Sequence, residues 1–207
     1  VFNYVLGVAT SWNPTYTGSD KHKSSFSPVL SLQYGRYRLS SSRGNAVLNH
    51  GYDDRNSGAS AMLIEDDRFN LSASLRIDSG RSSSDDIRLL GLPEVRSTLL
   101  GRISAGYVFD EHWSVNTGLS QDLLGRAGGT QLGTSLRYLF DLTPRTRIGV
   151  GVGADFANST YMRSHFGVPA SASATSPLPS FSAKGGLYSV DMGMDVMTTL
   201  SHRWVLF

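Results

Sequence analysis

The 207 residues carry 19 basic and 17 acidic side chains for a formal net charge of +2, and the basic residues are scattered, which argues against a nucleic-acid partner. Cysteine is absent, which fits an envelope protein without disulfides and fixes no compartment. No run of about 18 apolar residues occurs, so a membrane-spanning helix is excluded. A hydrophobic share of 40% with 22 glycines still suits a membrane β-barrel, which places only alternate residues in lipid.

The chain opens Val1-Phe-Asn-Tyr-Val-Leu6, directly in a strand-like pattern with neither a basic n-region nor a small-residue cleavage site, and reads as a mature or trimmed chain. Tyr4, Leu6 and Val8 alternate with Val5, Gly7, Ala9 and Ser11, predicting a first strand over residues 3–11. Residues 12–28 are rich in Ser, Thr, Gly, Lys and Pro and predict a long exposed loop. A second strand follows with Leu30, Leu32 and Tyr34 on one face and Ser31, Gln33 and Gly35 on the other. A third strand falls somewhere in 37–49, before a polar loop over 50–58. Residues 60–65, a turn at Asp66-Asp67 and residues 68–78 predict a hairpin, with Phe69, Leu71, Ala73, Leu75 and Ile77 opposite Asn70, Ser72, Ser74, Arg76 and Asp78. Another polar loop covers 79–96.

Residues 97–156 give the strongest signal. Leu99, Ile103, Ala105, Tyr107 and Phe109, then Trp113, Val115, Thr117 and Leu119, then Leu132, Thr134, Leu136, Tyr138 and Phe140, then Ile148, Val150, Val152, Ala154 and Phe156 form one face of four strands. The intervening face is dominated by Gly, Ser, Asn, Arg and Asp, with no Lys or Glu. After a long connection over 157–182, a tenth strand over 187–200 sets Tyr188, Val190, Met192, Met194 and Val196 against Ser189, Asp191, Gly193 and Asp195. A turn at 201–203 leads into a short eleventh strand at Trp204.

Strands with one apolar face and one small, polar face describe a sheet between two different solvents. A soluble barrel or sandwich would carry Lys and Glu on its outer face; lipid outside and a narrow polar lumen inside explain this pattern better. The expected fold is therefore all-β, an antiparallel up-and-down transmembrane β-barrel in one domain over 1–207. Short links (66–67, 110–112, 142–145, 201–203) alternate with long ones, as periplasmic turns alternate with extracellular loops, so the N-terminus is expected in the periplasm. Tyr107, Phe109, Trp113, Tyr138, Phe140 and Trp204 sit beside short turns, where a periplasmic aromatic girdle belongs. Bacterial single-chain barrels have even strand numbers, so eleven strands predict about twelve when complete and a missing final hairpin. A stop codon directly after Phe207 would contradict that.

Several stretches together resemble the MipA/OmpV family, the MltA-interacting proteins of Gram-negative outer membranes. They are Gly7-Val-Ala-Thr-Ser-Trp-Asn-Pro-Thr-Tyr-Thr-Gly-Ser-Asp20, Gly35-Arg36, Leu89-Leu-Gly-Leu92, Tyr161 with His165-Phe-Gly-Val168, and Leu178-Pro-Ser-Phe181 with Gly186-Leu-Tyr-Ser189. The resemblance implies an outer-membrane barrel set in outer-membrane lipid and, for the founding member, a scaffold between a murein-cleaving lytic transglycosylase and a murein-synthesising penicillin-binding protein. Other relatives are described as porin-like or adhesive. Family members continue past the Trp204 position through one more hairpin, and the family brings no catalytic motif.

The residues themselves suggest no enzyme. His112-Trp-Ser114-Val-Asn116 resembles the His-x-Ser arrangement of outer-membrane lipid A deacylases but lies at a turn on the periplasmic side without a third orienting group. His202 is also in a turn, and His22, His50 and His165 are in loops without metal-ligand spacing. Asp53-Asp54 and Asp85-Asp86 read as solvated loop acids rather than a cation site. No cofactor is implied. Arg76, Arg102, Arg137 and Arg147 are expected to face Asp78, Asp122, Asp155, Asp191 and Asp195 across the lumen. They either pair and stabilise a narrow barrel or line a polar channel for small solutes. The serine-, alanine- and proline-rich loop at 157–182 suits surface adhesion as a third reading.

Overall fold

A computed structural model describes residues 2–14, 22–41, 58–84, 89–173, 176 and 178–207. Their strands form one antiparallel sheet of eleven, each hydrogen-bonded to its sequence neighbours, in the order β1 to β11. These are β1 (Phe2–Pro14), β2 (His22–Tyr34), β3 (Tyr37–Ser40), β4 (Gly58–Glu65), β5 (Phe69–Asp78), β6 (Thr98–Val108), β7 (Trp113–Asp122), β8 (Thr130–Thr143), β9 (Thr146–Ala157), β10 (Gly186–Ser201) and β11 (Trp204–Leu206). No helix among the described residues is long and apolar enough to cross a membrane. The expected third-strand region beyond Ser41, with His50 and Asp53-Asp54, and the Asp85-Asp86 pair lie outside the described residues.

The two faces separate as the alternation requires, and the apolar one is exposed. Leu6 is 68% accessible, Ile77 78% and Met192 81%, whereas on the opposite face Ser31 is 0% and Ser104 2%. An inverted arrangement of this kind leaves a contiguous apolar surface far larger than a water-soluble monomer presents. On the apolar face Thr117 and Thr134 are directly opposed across β7 and β8. Thr117 Oγ1 donates to the Gly133 carbonyl (3.3 Å) and Thr134 Oγ1 to the Asn116 carbonyl (3.4 Å), so neither hydroxyl depends on water. On the polar face small residues let adjacent strands meet through short bonds, as between Ser72 and Ser104 Oγ at 3.0 Å.

Three expectations are corrected. The loop predicted over 12–28 is largely strand: β1 and β2 pair from Phe2↔Tyr34 to Pro14↔His22. Cross-strand contacts outweigh the turn-like composition, with Ser11 and Ser25 hydroxyls at 2.7 Å and Trp12 stacked on His22 at 4.1 Å. The connection over 157–182 contains a helix, α1 (Ser159–Phe166), started by Asn158, whose side chain accepts from Tyr161 N at 3.0 Å. Tyr188, placed by alternation on the apolar face, stands at a register shift between Leu187 and Ser189. That bulge turns its ring onto α1, 5.2 Å from Tyr161 and 6.0 Å from Phe166.

The buried apolar cluster lies outside the strands. Leu89 and Leu92 from the β5–β6 connection meet Val168 and Ala172 from the β9–β10 connection. Short turns occupy the other end of the sheet. In the β6–β7 turn Asp110 accepts from Trp113 N and His112 N, both at 2.8 Å, and these backbone bonds hold its carboxyl below the usual carboxylate range. That contribution is present above the ordinary aspartate value of about 3.9 and is lost as pH falls through the depressed one.

Gly80 fixes the start of the β5–β6 connection: its φ is +71°, and a Cβ there would run into the Val95 carbonyl. Gly80→Ala is expected to destabilise the packed loops by about 1–3 kcal/mol. Hydrogen exchange of the folded protein in detergent should show lost protection at Leu92 and Val168 with the strands unaffected; a globally unfolded or an unaltered protein contradicts the assignment.

Candidate functional site

Two arrangements on the polar side are built from residues of several elements. The first is a cap. Asp122, at the end of β7, accepts from Thr98 Oγ1, from Gly128 N (2.9 Å) and from Leu124 N (3.0 Å), tying the β7–β8 connection into a compact knot. α1 lies against that knot, Ser164 Oγ donating to the Ala127 carbonyl at 2.9 Å. At its C-terminal end the His165 carbonyl accepts from Arg81 Nη1 at 2.7 Å, and Val168 pairs with Phe181 in an antiparallel bridge. Arg81 follows β5 and His165 follows β9, strands with three others between them in the sheet order. The bond is therefore a chord across a curled sheet, and α1 with its loop spans the end.

Rings of α1 itself stack, Tyr161 on His165 at 4.0 Å and 19°, with Phe166 of the same helix and Tyr188 of β10 beside them. Burial pushes the Tyr161 hydroxyl above its ordinary range, with Asp78 and Asp155 adding to the effect, and Arg76 and a bond to Tyr188 opposing it. Of the charges expected on the polar face, Arg76, Asp78 and Asp155 thus gather under the cap. Asp78 also accepts from Gly80 N at 2.9 Å.

The second arrangement is a set of long polar side chains lying flat over glycines of the neighbouring strand. The Arg102 guanidinium covers Gly118 and bonds Ser120 Oγ at 3.2 Å. Arg137 on β8 covers Gly149 of β9 and reaches Asp195 of β10, an ion pair across an intervening strand that a Cβ on Gly149 would block. Asn70 sits over Gly106 in the same way. Arg147 is joined beside the β8–β9 turn to Asp141 through a two-point fork of 2.8 and 3.2 Å, an exposed pair that adds little to stability. Asp191, in register with Gly153, is exposed.

The aromatics beside the short turns cluster as well. Tyr107 meets Phe109 at 5.2 Å, and Tyr138 lies 4.9 Å from Trp113, 5.9 Å from Phe140 and 5.4 Å from His112, while Trp204 is 71% exposed. Register adds rings the sequence reading omitted: Phe2↔Tyr34, Tyr34↔Tyr37 and Phe69↔Tyr107 continue the row along the same end of the sheet. Sequence reasoning also missed Tyr161, His165 and Tyr188 as a group, and Leu100, Leu139 and Met197, which are buried on the polar face. Asn158 as a helix cap, with Arg163 and His165 in the last turn, was the available signal for α1.

Removing Arg137 leaves Asp195 partly buried without its cation. Arg137→Leu is expected to destabilise the folded protein by about 1–3 kcal/mol, and Asp195→Asn added to it should restore part of the loss. Denaturant titration of the single and double variants measures this; additive losses contradict the pairing.

No curated protein and no solved structure matches the chain. The family model described as MltA-interacting protein MipA matches residues 6–207. With a match over essentially its whole length, the chain belongs to the MltA-interacting protein MipA family.

Proposed function

We propose that this protein is a non-enzymatic outer-membrane β-barrel that serves as a docking partner for murein enzymes: a lytic transglycosylase, and with it a penicillin-binding protein. The observation that carries the membrane part is the exposed apolar face running across the sheet opposite a buried face of serine, glycine and paired charges. In lipid every strand edge needs a partner, and β1 and most of β10 present unpaired edges among the described residues. Joining those edges gives a closed barrel, and the even-number rule gives about twelve strands. The row of rings at the short-turn end supports a periplasmic girdle of Tyr107, Phe109, Trp113, Tyr138, Phe140 and Trp204, with the N-terminus on the same side. Outer-membrane lipid is then the solvent of the apolar face.

The partner part rests on the family description, MltA-interacting protein. The cap supports it against a channel, because α1 and the Leu89, Leu92, Val168 and Ala172 cluster lie across one end. The lumen charges Arg76, Asp78, Arg102, Asp122, Arg137, Arg147, Asp155, Asp191 and Asp195 are then structural, several already held by bonds to neighbours. The channel remains a second reading on one observation: nothing lies within 4 Å of a Cβ placed on Gly193, so the polar face has open room along β10.

Two measurements decide between these. The folded protein in detergent, immobilised and challenged with purified lytic transglycosylase, is expected to retain it above a control barrel; no retention removes the docking reading. In planar bilayers at neutral pH the protein should give no conductance steps, and steady single-channel currents would establish the channel instead.

A further inference from the structure

We propose that the loop cap is an acid-sensitive gate: a neutral His165 ring lets α1 stay closed across the end of the sheet, and protonation of that ring releases α1 from the β5–β6 connection. The proposal rests on the cap geometry and is independent of which partner the protein binds.

His165 sits at the point where the closure is tied. Its carbonyl takes the Arg81 guanidinium at 2.7 Å, its ring stacks on Tyr161 at 4.0 Å, and its Nδ1 stands 3.2 Å from the Tyr161 carbonyl. Three residues on, Val168 begins the bridge to Phe181, and its side chain enters the apolar cluster with Leu89 and Leu92. The ring is half-buried, so a proton on it would create a desolvated cation close to the fixed charge of Arg81. The charged groups within its reach are Asp78 and Arg81, from β5 and the connection after it; Arg76, Asp155 and Tyr188 act on the Tyr161 side chain against which it stacks.

Burial is the largest influence and pushes the imidazole below its ordinary range; the Tyr161 carbonyl and Asp78 pull upward, and Arg81 adds to the downward push. A ring that binds its proton less readily in the closed cap than in the open one makes opening take up a proton. Closure is therefore fully stable above the ordinary histidine value of about 6.5 and weakens as pH falls through it. A half-buried histidine at the point where a loop is tied is a suitable place for proton uptake to bias closure.

The test is amide protection of the folded full chain in detergent micelles, at about pH 7.5 and about pH 5.5, either side of the ordinary histidine value. Protection factors, corrected for intrinsic exchange, should fall several-fold at Val168 and Phe181 in the wild type while Ser104 and Leu119 in the strands stay unchanged. His165→Gln should abolish the pH effect. Asp78→Asn keeps an acceptor for Gly80 N but removes the carboxylate that favours the cation, so its cap should open more at the lower pH than the wild type. A wild type indifferent to pH, or a His165→Gln protein as acid-sensitive as the wild type, overturns the proposal. If His165→Gln leaves the cap unprotected at both values, Asp78→Asn decides, and sensitivity no greater than wild type overturns it.

Discussion

The constraint on which the structure depends is that a strand cannot choose its faces independently: each outward residue commits its neighbours to the inside. In this chain the large apolar residues lie on the exposed face, so the opposite, polar face must be satisfied largely without them. It is filled by serines that bond across strands and by arginines laid flat over glycines. Gly118 and Gly149 lie beneath Arg102 and Arg137, because a guanidinium parallel to the sheet needs the space a Cβ would take. Charge and void are thus matched position by position, and the glycine content is a packing feature of the polar face.

Since the strands expose their apolar side, little of the sheet can act as a conventional core. Among the described residues Val29, Leu100, Leu139, Ala157 and Met197 are exceptions, buried on the polar face. The apolar cluster forms where chain has left the sheet, from Leu89, Leu92, Val168 and Ala172. Connections usually run over a surface because their backbone groups need water. Here they supply partners to each other: Arg81 N and Val95 N bond each other's residues, and Val168 and Phe181 do the same, so the cap carries two small ladders of its own.

The sheet was legible because it rests on a period of two that repeats for ten or more residues at a time. Arg102, Ser104 and Gly106 against Ile103, Ala105 and Tyr107 admit one reading, and the register pairs each with the residue type expected across β7. The strand ends over 12–28 were not legible, because Ser, Thr and Pro are turn formers by composition and become strand residues only when the partner is adjacent, as Ser25 is to Ser11. Tyr188 was misplaced for a related reason: a bulge adds one residue, and alternation counted through it assigns the wrong face. The cap was invisible for a different cause. Its contacts join residues such as Arg81 and His165, 84 apart in the chain, and no local period records a pairing between loops.

That long-range pairing bears on how the sheet holds its curvature. Eleven strands bonded in sequence order are compatible with a flat ribbon or a curled one, and twist alone does not fix the distance between β5 and β9. The Arg81 to His165 bond does, because it ties the ends of those two strands together over the intervening three. The Asp122 knot supports the tie from the β7–β8 connection: it shapes residues 123–129 so that the Ala127 carbonyl accepts from Ser164, next to His165. Cap and curvature therefore meet at the loop ends, while the strand ladders beneath keep their own hydrogen bonds when α1 loosens. The residues that make the tie, Arg81, Asp122 and His165, are polar groups at loop ends and not part of the apolar pattern that makes the sheet recognisable.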